Sequence, residues 1–273
     1  MKKIFVIPNS YELLGAVLKK DIDGVILPLE HLSVNHDISF SLEDIKVILN
    51  TTSKEIAVSI NKIMHNSDLK FLEEALISLN KMNVSKIFFY DLAVLNICRK
   101  LEIKKDLVVF QDHLNTSYYS NLFYHQHGVK YSVISNDITI EEINKIGKEL
   151  PLMIEAYGYV PIFYSRRYLI TNYLKYICRE KDEGHYYIKN KENRYPIVEE
   201  EYGTTIYTKE PINLINDVKN LKVDAIILNS LMIDKDLFLK VVDQYVTFDS
   251  DNEDYYSGFL HEKTVYRVGD MKK

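Results

Sequence analysis

The segment Glu155-Ala-Tyr-Gly-Tyr-Val-Pro-Ile-Phe-Tyr-Ser-Arg-Arg-Tyr168 places an acid, a hydroxyl and two guanidinium groups within fourteen residues. Pro151 to Ile154 reads as a short apolar strand, so Glu155 falls at its carboxyl end. Gly158 allows the backbone a sharp turn, and Ser165 and Arg166 are expected to open the next helix. Glu155 and Ser165 are therefore the candidate catalytic residues. Ser165 lacks the Gly-x-Ser-x-Gly elbow of an activated serine, and no adjacent histidine is suggested, so its expected role is to cap that helix. Arg166 and Arg167 have the forked donors that hold a carboxylate or phosphate in two bonds. The competing role is a structural ion pair of either arginine with Glu155.

Other chemistry-bearing residues carry weaker signals. The eight histidines include no His-Glu-x-x-His pair, and His125 and His127 are two residues apart, which on a helix points them to different faces. No metal site is expected. Glu199-Glu-Glu201 reads as a solvated acidic run. Tyr118, Tyr119, Phe123 and Tyr124 could stack on an aromatic ligand, although packing of a tyrosine-rich helix accounts for them more simply.

These groups need a scaffold, and the chain supplies a regular one. Short apolar runs at Lys3–Ile7, Gly24–Leu29, Glu55–Asn61, Lys86–Tyr90, Leu107–Gln111, Tyr131–Ser135, Pro151–Ala156 and Val223–Leu228 alternate with helical periodicity, as in Leu69, Leu72, Leu76 and Leu79 or Ile140, Ile143 and Ile146. Thr139 with Glu142 forms a capping box, and Asp234 caps the last long helix. Eight strands alternating with helices predict a parallel sheet, and closure into a (β/α)8 TIM-barrel-like domain removes both exposed edges. The turn after the first strand, Pro8-Asn-Ser10, lacks the glycine-rich phosphate loop expected of an open doubly wound sheet. Residues 183–209, between the seventh and eighth strands, alternate polar and apolar like a β-hairpin laid over the barrel as a lid.

In such a barrel the loops after the strands share one mouth. The strand ends supply Asn9, Glu30, Asn61, Asp91, Gln111, Asn115, Asn136, Glu155 and Asn229, a set dominated by amides that both donate and accept hydrogen bonds. The expected ligand is polar and oxygen-rich. Glu30, Asn61, Gln111, Asn115, Arg166, Arg167 and Asn229 are the candidate substrate-binding residues.

With 273 residues, 47% of them hydrophobic, the chain can bury a full core, and one domain over 1–273 is expected. A formal charge of −5 with both signs interspersed disfavours stand-alone nucleic-acid binding. No apolar run approaches the roughly 20 residues that span a bilayer, and the start is too short for a secretory signal. Two distant cysteines offer no disulfide framework. A cytoplasmic protein with no membrane partner is expected.

Glu155, Gly158, Pro161, Ser165 and Arg166 together resemble the signature of peptidase family U32, the collagenase-like peptidases. Gly24-Val-Ile-Leu-Pro-Leu-Glu30, Gln111-Asp-His-Leu-Asn115 and Arg194 to Thr205 agree with it, and Gly258 to Tyr266 is similar to the end of shorter members. The resemblance implies the same barrel. Many members carry a cysteine soon after the Ser-x-Arg turn and a later cluster of cysteines holding an iron–sulfur cluster; here the first position is Tyr168. The chain has only Cys98 and Cys178, and a four-iron cluster takes four thiolates, so no cofactor is expected. Both read as helix residues, Cys98 in a core. The resemblance further implies a substrate-binding or accessory subunit. Such a subunit would act with a longer, cysteine-bearing paralogue in hydroxylation of RNA, tRNA included, or of a small polar aromatic substrate. The alternative is a stand-alone peptidase acting on peptide.

Overall fold

The computed structural model describes residues 2–182, 185–249 and 253–262. The chain opens with β1 (Lys3–Ile7), α1 (Tyr11–Val17), β2 (Gly24–Pro28), α2 (Leu42–Leu49), β3 (Glu55–Ile60) and α3 (Leu69–Lys81). It continues through β4 (Lys86–Phe89), α4 (Leu92–Lys100), β5 (Asp106–Phe110), α5 (Tyr118–Gln126), β6 (Tyr131–Ile134), α6 (Ile140–Ile146) and β7 (Leu152–Gly158). Next come β8 (Pro161–Ser165), α7 (Leu169–Tyr176), β9 (Tyr186–Asn190), β10 (Asn193–Glu200), β11 (Gly203–Tyr207), β12 (Ile212–Asn213), β13 (Ala225–Asn229) and α8 (Lys235–Thr247).

Strands β1 to β7 pair in parallel in sequence order, and β13 pairs in parallel with both β7 and β1. Eight strands therefore close into a barrel with no free edge, as the alternation of apolar runs and helices predicts. Both faces of these strands are buried, which is why they read as continuous β-branched runs. Inside, Phe5, Ile26, Ala57, Phe88, Val108, Val133, Met153, Ala225 and Ile227 form a plug. Outside, alternate strand residues pack on the helices, where α3 buries Leu72, Ala75, Leu76 and Leu79. At the amino-terminal end, Glu55 bridges Lys3 and the buried Lys86, pairing a charge that would be costly alone.

Two of the three helix caps expected from the sequence form, and Ser41 adds one that was not expected. Ser41 with Asp44 and Thr139 with Glu142 form capping boxes, and Asp234 accepts from the amides of Asp236 and Leu237. Cys98 is buried in α4, and burial pushes its thiol up to about 12. Cys178 departs from expectation: it lies just past the end of α7, exposed and at φ 54°.

The segment over the mouth is larger than a hairpin. A four-stranded antiparallel sheet runs in the order β8, β11, β10, β9, so the expected hairpin of 183–209 is joined by β8, a strand outside the eight that the sequence predicts. Residues 183 and 184 of that segment lie outside the described residues, as do 263–266 of the motif ending at Tyr266. Ser165 ends β8 and caps no helix. Its hydroxyl accepts from the amide of Arg167, and α7 starts at Leu169 behind Tyr168. Thr204 on β11 performs the capping instead, accepting from Leu169 N and donating to Arg167 O.

Candidate functional site at the barrel mouth

A strand sends alternate side chains to the same face. Ile227 and Met153 belong to the barrel plug, so Asn229 and Glu155, each two residues on, also point inward. With Ile7, Ser59, Asn61, Phe110 and Asp112 they line a cavity of the mouth. The second sheet roofs it with Tyr164 and Tyr207, while Tyr90 and Tyr159 complete the aromatic walls.

Glu155 is only 4% exposed. Burial pushes its carboxyl up to about 8, with the nearby Asp112 adding to the rise and a hydrogen bond from Asn229 opposing it. Asn229 Nδ2 donates to Glu155 Oε1 at 2.9 Å, and Asn229 Oδ1 accepts from Leu231 N at 3.1 Å, which fixes the way the amide faces. Gly158 makes this approach possible. Its φ is 141°, and a Cβ there would sit 2.8 Å from Asn229 Cβ and 3.1 Å from Glu155 Oε1. With its carboxyl raised to about 8, Glu155 is mostly protonated near pH 7 and then able to donate a hydrogen bond to a pocket occupant. Burial likewise pushes Asp112 up to about 6.

Asn35, in the loop after β2, ties the roof to the barrel. Asn35, in the left-handed region at φ 61°, accepts from Thr205 Oγ1 at 2.8 Å and from Tyr207 OH at 2.9 Å. Its own amide donates to Glu200 Oε2 at 3.1 Å. Asn61 holds the same loop from below, bonding both the amide and the carbonyl of Val34.

The sequence candidates thus divide. Glu155, Asn61 and Asn229 meet at the pocket. Gln111 instead spans from Tyr90 O to Tyr124 OH, and Asn115, fully buried, bonds Asn121 Oδ1 and Val133 O. Glu30 stands half-exposed beside His31, away from this cavity. Ser165, Arg166 and Arg167 do not line it, both arginines are exposed, and among the described residues neither forms an ion pair with Glu155. Asn35, Asp112 and the four tyrosines went unidentified in the sequence. Asp112 and Tyr90 carried a signal, each lying two residues beyond an inward phenylalanine, Phe110 and Phe88.

Among the described residues no three His, Cys, Asp or Glu side chains gather to hold a metal. An iron–sulfur cluster does not fit this chain either: Cys98 is enclosed in α4 while Cys178 lies exposed beyond α7, and no further thiolates exist.

Comparison with known proteins agrees with this architecture. The sequence pattern of peptidase family U32 matches residues 9–263. Over 199 residues the chain is 31% identical to tRNA hydroxylation protein P2 of Bacillus subtilis (strain 168), covering 68% of this chain and 64% of that protein. The solved U32 peptidase Mk0906 superposes with a TM-score of 0.54 at 13% identity, over 84% of this chain and 92% of that one. Orotidine 5'-monophosphate decarboxylase of Methanocaldococcus jannaschii shares the barrel, with a TM-score of 0.52 at 12% identity over 91% and 98% of the two chains. The chain belongs to peptidase family U32.

Proposed function

We propose that this U32 barrel is a substrate-binding or accessory subunit in the hydroxylation of tRNA, working with a longer, cysteine-bearing relative. The supporting likeness is to the tRNA hydroxylation protein, of which the match spans 64%. The observation that carries the reading is the pocket itself. A neutral Glu155 and the oriented amide of Asn229 sit among tyrosine walls, the donor and acceptor set that suits a planar, polar ring. With two cysteines, the chain depends on a partner for any iron–sulfur chemistry that the reaction uses.

Hydrolysis draws on one observation, the two carboxyls of Glu155 and Asp112 at one cavity. The candidate nucleophile from the sequence, Ser165, lies outside the pocket with its hydroxyl engaged by Arg167 N. The test is deletion of the gene in its host, followed by mass spectrometry of tRNA nucleosides and of proteins retained by the tagged chain. Loss of a hydroxylated nucleoside, restored by the wild-type gene, together with recovery of a cysteine-rich relative is the expected result. Unchanged tRNA, with casein or gelatin cleaved by the pure protein and not by Glu155→Gln, would establish the hydrolase instead.

A further inference from the structure

The charge of this acidic chain is not evenly spread. Residues 161–195 carry eight Lys and Arg against four Asp and Glu, in a chain with 34 against 39. They also hold four of its six arginines and seven of its 21 tyrosines. This segment comprises β8, α7, β9 and the start of β10, which belong to the roof and not to the barrel.

Local structure decides which of these groups face outward. The α7 helix buries Ile170 and Leu174, while Glu199 on β10 accepts from the amide of Thr171 at 3.0 Å. One side of α7 is therefore fixed to the sheet. On its other side Tyr173 is 62% and Tyr176 85% exposed, among the most exposed large side chains of the protein. Lys175 is exposed with them, and the turn at Cys178 brings Arg179 just past the helix end. Arg166 and Arg167 precede the helix, and neither forms an ion pair among the described residues. Burial raises the Tyr164 hydroxyl, and the guanidinium of Arg166 is close enough to oppose that rise. Since Tyr164 lines the mouth cavity, the cationic strip begins at the pocket rim and runs along a helix about 12 Å long.

We propose that this strip, with Arg166, Arg167, Lys175 and Arg179 as phosphate contacts and Tyr173 and Tyr176 as stacking platforms, binds a single-stranded stretch of an RNA at the barrel mouth. The assignment deepens the tRNA reading above and rests on it. Guanidinium forks match phosphate oxygens, and exposed tyrosine faces accept any base, so together they track a backbone without reading sequence. An acidic barrel repels polyanions elsewhere, which confines a bound strand to the roof. Arginine and tyrosine also mark protein interfaces, so protein docking on this strip is the outcome that the test separates from RNA binding.

The test uses the tagged full-length chain in its own host, with ultraviolet cross-linking and mass spectrometry of nucleotide-bearing peptides. Adducts on residues 168–179 are expected. Arg166→Ala with Arg167→Ala should cut the tRNA recovered with the protein at least tenfold and lower the magnitude of the salt slope of binding by about 1.4. Lys46→Ala with Lys81→Ala, remote from the roof, should leave recovery unchanged. Adducts found only outside the roof, or tRNA recovery indifferent to the arginines, would overturn the assignment. Loss of the longer relative with tRNA recovery retained would do so as well, showing a protein-docking surface. None of those results touches the tRNA reading, which fails only if the deletion leaves nucleoside hydroxylation intact.

Discussion

Replacing Glu155 by glutamine tests the central feature of the pocket through stability alone, with no knowledge of substrate. A carboxyl shifted from the ordinary 4.5 to about 8 holds its proton in the folded chain over a range where the unfolded chain releases it. Between those limits the folded state binds more protons, so stability falls as pH rises and levels off above about 8. At about 1.4 kcal/mol per pH unit, the loss across the whole window is about 5 kcal/mol, of which about 4 kcal/mol falls between about pH 5 and about pH 9. Glutamine at this position keeps the shape, still accepts from Asn229 Nδ2 and never ionises. Wild type and Glu155→Gln should therefore have similar stability near about pH 5. By about pH 9 the variant should be the more stable by about 4 kcal/mol. Urea denaturation at both pH values, with equal slopes against denaturant, measures the difference directly. Asp112, pushed up to about 6, contributes its own pH dependence to both proteins and cancels in the comparison. Parallel stability curves for the two proteins would refute the buried neutral acid. A wild type that gains on the variant with rising pH would show that a cation pairs with Glu155.

Gly158→Ala forces a side chain into φ 141° and against Asn229, costing about 3 kcal/mol from strain and overpacking; a fall in Tm of about 8 °C by calorimetry is expected, and an unchanged Tm would mean that the close approach is not required. Asn35→Ala leaves the hydroxyls of Thr205 and the fully buried Tyr207 without their acceptor, costing about 3 kcal/mol, and hydrogen exchange should accelerate in β10 and β11 before the barrel strands.

The barrel was legible because its strands are buried on both faces, and the helices between them are capped by residues that announce themselves, such as Thr139 with Glu142. The site was legible only where parity was respected. Side chains two residues past an interior position enter the pocket, which selects Glu155 after Met153, Asn229 after Ile227 and Asn61 after Ser59. Gln111 follows the inward Phe110 by one residue, so it turns toward α5 and Tyr124 while Asp112 takes the pocket; a one-residue shift moves every side chain to the opposite face. Glu30 obeys the parity rule but misses the pocket because β2 ends at Pro28 and the chain bends away, with Leu29 bridging to Phe40. Asn35 had no local signal, since its role depends on hydroxyls about 170 residues away in sequence. A shorter separation, 39 residues from Ser165 to its partner Thr204, hid β8, because β11 arrives only after a helix and a hairpin.

The treatment of charge decides between the two roles first suggested for the arginines. Had either arginine paired with Glu155, the pocket would hold an ion pair, the carboxyl would stay ionised, and the roof would display less positive charge. Instead an uncharged amide, Asn229, contacts the acid, and burial suppresses its ionisation. The guanidinium groups of Arg166 and Arg167 remain outside the cavity, with Arg166 close to Tyr164 of its lining. A polyanionic strand could then lie along the rim with its phosphates outside, and present one flat, polar base to the neutral acid and tyrosines within. A peptide substrate would leave the stacking faces of Tyr173 and Tyr176 unused, and Ser165, the hydroxyl first considered for its cleavage, stands outside the pocket.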